Sequence, residues 1–127
     1  MTQTYLLAGP AKEVHLRRCV EAYAARLKGL HGLNIAPDAG AKREAAESTL
    51  RARLAAHPDL IAPAIAELEA EIVQYTAWAA EAWGRSQKSA LGSSPQGRRN
   101  AKIEAAEHRE RRDMHMATLA VVREFAA

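Results

Sequence analysis

The stretch DLIAPAIAELEAEIVQYTAWAAEAW, residues 59–83, decides the fold. Within it Ile61, Ile65, Leu68, Ile72, Tyr75, Ala79 and Ala82 recur at spacings of four and three. That period lays apolar groups along one side of an α-helix, as in a bundle or coiled coil. Val73, Trp78 and Trp83 widen the stripe and predict more than one packing neighbour. Asp59 suits an N-cap, which places Pro63 in the first turn, where backbone N–H groups have no helical partner to lose. Gly84 either ends this helix or loosens it before Leu91.

Downstream, Gly92-Ser93-Ser94-Pro95-Gln96-Gly97 is the plainest turn signal in the chain, with Ser94 as N-cap and Pro95 as first helical residue. A last helix follows to about Phe125. Charge dominates its first half, and its second half has an apolar edge of Met114, Ala117, Val121 and Phe125, with Leu119 and Val122 beside it. Two helices of similar length joined by a turn at 92–97 predict an antiparallel hairpin, Asp59–Leu91 against Pro95–Phe125.

Upstream, His57-Pro58-Asp59 separates the hairpin from a shorter helix, about Ala41 to Ala56, whose apolar edge is only Ala46, Leu50 and Leu54. Its anchoring is expected to be weak. Residues 34–40 form a loop. Before it, Leu16, Val20, Tyr23, Leu27 and Leu30 mark a first helix that begins at Pro10, with residues 1–10 as an N-terminal extension. The expected fold is all-α: a single domain over residues 1–127, a bundle of about four helices built around the long antiparallel hairpin.

Composition agrees with that class. Of 61 hydrophobic residues 29 are alanine, while Leu, Ile, Val and Phe number 23 of 127, so the core is thin and its seams are narrow. Thin seams call for a second copy or another protein to bury enough area, which predicts a homo-oligomer or a complex. The single cysteine, Cys19, has no intrachain partner and fits a reducing compartment. Neither a signal peptide nor an apolar stretch of membrane-spanning length is legible, so the expected location is cytoplasmic, with no membrane partner.

The net charge of +3 conceals segregation. Residues 59–83 carry five acids and no Lys or Arg; residues 84–102 carry Arg85, Lys88, Arg98, Arg99 and Lys102 and no acid. The first helix is basic too, and its packing beside the acidic third one would neutralise both. The basic turn, 84–102, stands at one end of the bundle and is the candidate phosphate- or partner-binding surface, where helix N-terminal N–H groups, Ser93 and Ser94 would add donors. A solvated turn is the plainer alternative. No aromatics are interleaved, so stacking on single-stranded bases is not expected.

Other motifs carry less. Leu91-Gly92-Ser93-Ser94-Pro95 with Arg98 resembles a short Leu-Gly-apolar-Thr-Pro-x-x-Arg signature of some phage terminase small subunits. Ser93 replaces the apolar residue, and the resemblance, which would imply DNA packaging, covers fewer than ten positions. Glu104, His108 and His115 share a helical face, yet a di-iron bundle needs repeated Glu-x-x-His pairs, and Arg109, Arg111 and Arg112 repel a cation. No metal or other cofactor is therefore assigned, and no catalytic residue: His15, His31, His57 and Cys19 find no nucleophile–base pairing. Tyr75, Trp78 and Trp83 are core residues by default, with exposure of a tryptophan as an interface anchor the functional alternative. The resulting expectation is a non-enzymatic helical protein–protein interaction module, acting as adaptor, assembly factor or inhibitor. A nucleic-acid-associated protein and a metal-binding bundle are the ranked alternatives.

Overall fold

The computed structural model describes residues 10–28, 35–87 and 94–126. They form four α-helices and no strand: α1 (Pro10–Lys28), α2 (Ala39–Ala56), α3 (Ile61–Gln87) and α4 (Pro95–Glu124). The N-terminal extension before Pro10, Leu30 of the first apolar stripe, Asn34 of the expected loop, and Lys88 through Ser93 with the first two residues of the hairpin turn lie outside the described residues.

α3 and α4 run antiparallel along their lengths, as the ion pairs Glu69–Arg123, Glu71–His115 and Arg85–Glu104 record in order. The hairpin expected from the sequence is present. α2 folds back along α1, with Tyr23 donating to Glu47, and α1 lies against both α2 and α4. α2 begins two residues before the expected Ala41, because Pro37 turns the chain and the Ala39 N–H already bonds the Ala36 carbonyl at 3.0 Å.

Three local expectations are corrected. Asp59 does not cap α3; Pro58–Leu60 is a 3₁₀ turn, the helix starts at Ile61, and the Asp59 carboxylate is bound by Lys12 of α1 instead. Pro63 does sit in the first turn. Gly84 neither ends nor visibly loosens α3, which continues to Gln87. Ala117 is exposed, and Thr118 takes its place in the core, its hydroxyl donating to the Met114 carbonyl at 2.9 Å so that burial leaves no polar atom unpaired.

The core sits at one end of the hairpin. Leu16, Cys19 and Tyr23 of α1, Leu50 and Leu54 of α2, Leu60, Ile61 and Leu68, and Leu119, Val121 and Val122 of α4 form one cluster. Weak anchoring of α2 is not what is found: Leu50 and Leu54 are fully buried, and each such side chain contributes about 1.5–3 kcal/mol by leaving water. Because α4 meets α3 on one side and α1 and α2 on another here, its last turns bury a wide arc, and Met116, Ala117, Ala120, Arg123 and Glu124 face outward.

Toward the far end the packing changes character. Between Ala79 and Gln87, and between Pro95 and Ala105, the buried residues are Ala79, Ala82, Ala101 and Ala105, none of them part of the core cluster. Methyl groups facing methyl groups let the two helices approach closely along a narrow seam. Larger apolar side chains have no room in that seam and are displaced to its flanks.

Candidate interaction surface on the helical hairpin

Those flanks hold the expected interface residues. Trp78 and Trp83 are each 42% exposed and Val73 is 69% exposed, so the predicted extra packing neighbour on α3 is not supplied by the described residues. Ile103 and Met116 of α4 are also exposed, so that among the described residues five of the seven exposed large hydrophobics lie on the hairpin. Five residues along a helix turn the side chain by about 140°, which puts Trp78 and Trp83 on opposite sides of the Ala79–Ala82 seam.

On the Trp83 side, the Arg109 guanidinium lies 5.6 Å from the indole centroid, a cation–π contact. Val73, Thr76, Ala80 and Trp83 follow one another at spacings of three, four and three, and all four are exposed. This makes an apolar ridge on the outside of α3. On the Trp78 side, the indole meets Tyr75 edge to face at 5.4 Å and lies 5.7 Å from the His108 ring. Tyr75 also stacks on His115, at 5.4 Å and 19° between planes. Aromatic rings from both helices thus interleave down this flank. Sequence reasoning grouped His108 and His115 with Glu104 as metal candidates and missed the ladder; an antiparallel register opposite Tyr75 and Trp78 was the signal available.

The metal-type constellation does not assemble. His108 Nε2 lies 3.5 Å from Glu104, but His115 Nε2 turns across the seam to Glu71 of α3 at 3.3 Å. Among the described residues no three His, Cys, Asp or Glu side chains converge as metal ligands. Cys19 is buried, and that burial pushes its thiol up from the ordinary value, against the opposing pull of Arg53. A raised thiol is a poor nucleophile.

The basic turn is partly brought together. Arg98, Arg99 and Lys102 line a shallow cavity of about 320 Å3 with Ser86, Gln87 and Pro95, and among the described residues no carboxylate is in its walls. Arg85 leaves this group: it pairs with Glu104 at 3.0 Å and with Glu81 at 3.2 Å. Its hydrogen bond to Glu104 holds that carboxyl below its ordinary value and raises the guanidinium. Arg99 bonds Gln96 Oε1 at 2.9 Å. The N-terminal N–H of Gly97, a donor expected to face an anion, is already bonded to Ser94 Oγ at 2.9 Å. Lys88 and Ser93 lie outside the described residues.

The acidic charge of α3 is met from two directions. α1 contributes Arg17 to Glu67 at 3.3 Å, and α4 contributes Arg123 to Glu69 at 2.7 Å. The basic first helix does not pack along α3 as expected; among the described residues it reaches that helix through Arg17, because α1 leans on α2 and α4 instead. No helix among the described residues is long and apolar enough to cross a membrane. No family model, curated protein or solved structure matches the chain, so its chemistry rests on this geometry.

Proposed function

We propose that this protein is a non-enzymatic helical interaction module that docks through the flank of the α3–α4 hairpin, onto a second copy of itself or onto another protein. The observation that carries the proposal is the ridge Val73, Thr76, Ala80 and Trp83, exposed along the outside of α3 away from the buried alanine seam. A half-exposed tryptophan braced by an arginine is the kind of side chain that dominates protein interfaces. Sedimentation equilibrium over a wide concentration range tests self-association. The expected result is a mass above 13.8 kDa that falls to the monomer in Val73→Glu with helicity unchanged. A wild-type monomer at every concentration removes the homo-oligomer, and failure of immobilised protein to retain any Val73-dependent partner removes the module.

A second reading is favoured by one feature, the carboxylate-free cavity walled by Arg98, Arg99 and Lys102. It is that of a nucleic-acid-associated protein contacting phosphates. Mobility shift of duplex DNA or RNA against salt tests it: binding should weaken steeply with salt, and Arg98→Ala with Arg99→Ala should lower the slope by about one per removed contact. Absence of any shift at low salt ends that reading.

A further inference from the structure

We propose that the cleft between α1 and α3 binds a small organic cation, an ammonium or guanidinium group carried on an apolar body. The cleft exists because α1 leans on α2 and α4 while α3 leans on α4, leaving a gap of about 330 Å3 between the two. Its floor is apolar: Leu16 and Val20 from one wall, Leu60, Ala64 and Leu68 from the other.

The rim is acidic. Glu13 and Glu21 of α1 face Glu67 and Glu71 of α3, and among the described residues Arg17 is the one cation of fixed charge in the lining. Arg17 occupies Glu67, and His115 lies against Glu71, each at 3.3 Å. Glu13 and Glu21 have no ion-pair partner among the described residues, in a chain whose overall charge is +3. Carboxylates around a concave, low-dielectric wall add their fields within it. An anion is repelled there, a neutral molecule gains only from the floor, and a cation with an apolar body gains from both. The volume suits a single small molecule, whereas a docked helix, with its diameter of about 10 Å, needs far more.

Three probes that share one apolar body test this: cyclohexylmethylammonium, cyclohexylmethanol and cyclohexanecarboxylate, titrated while the methyl resonances of Leu16, Val20 and Leu68 are followed. The ammonium should perturb these methyls and bind roughly tenfold more tightly than the alcohol, as proximity to two partly screened carboxylates implies. The carboxylate should bind least. In the Glu13→Gln, Glu21→Gln double variant the ammonium should fall to the affinity of the alcohol, while the alcohol stays unchanged and so reports an intact cleft. Equal binding of the three probes, perturbation elsewhere on the molecule, no perturbation by any probe, or indifference of the ammonium to the double variant each overturns the proposal.

Discussion

His15 sits at the α1–α2 seam with its Nε2 buried and without a partner, facing Arg53 and His57. Loss of water is the largest influence on the imidazole, followed by the positive fields of Arg53, His57 and Arg18, and all act to lower its pKa from the ordinary 6.5. In the unfolded chain the same group takes up a proton more readily. Stability from this residue is therefore complete above pH 6.5 and is lost as pH falls through that value toward the lower folded one. Urea midpoints measured from about pH 7.5 to about pH 5 should drop less in His15→Gln than in the wild type. Equal slopes would mean that the imidazole is hydrated in the folded protein. Nothing in the sequence marked His15 for this, since its burial depends on a partner helix, and the position of Arg53 relative to it follows from packing.

Among the elements, α3 was the most legible. Its apolar repeat located the helix and its facing edge, the turn signal at 92–97 gave its antiparallel mate, and Leu68, Ala79 and Ala82 are buried as that repeat implies. What the repeat could not show is how much of the stripe would find cover. Val73, Trp78 and Trp83 flank that repeat and remain at the surface: beside the two indoles α4 offers the small Ala101 and Ala105, and Val73 lies on the outer face of α3. Asp59 illustrates the converse. A residue type that suits a cap was drawn instead to Lys12, a partner 47 positions away. The narrowness of the seam carries its own prediction. Ala105→Leu should cost about 1–3 kcal/mol by forcing the helices apart, whereas Ala106→Leu, one position round on the exposed face, should stay within about 0.5 kcal/mol. Chemical denaturation of the two variants distinguishes a close-packed seam from a loose one.

At the scale of the whole molecule, stability is distributed unevenly. The large buried side chains gather where α1 and α2 join the hairpin, and among the described residues the opposite half is held by α3 against α4, with alanines at the contact. Hydrogen exchange should be slowest around Leu54, Leu68 and Val122 and faster from Ala79 to Gln87 and Pro95 to Ala105; uniform protection would show that the hairpin opens as one unit with the core. The sequence exposed the charge segregation behind the basic turn but not the destination of Arg85, nor the cleft flanked by Glu13 and Glu21. Those two glutamates stand eight residues apart on a mostly basic helix, and their relation to α3 depends on the angle at which two helices diverge. The placement of the two indoles also has a practical side. Each lateral face of the hairpin bears its own fluorophore, one beneath a guanidinium and the other wedged between a phenol and an imidazole. Any molecule that settles on one face will alter one emission and spare the other, so this protein comes already labelled for finding out which of its sides is touched.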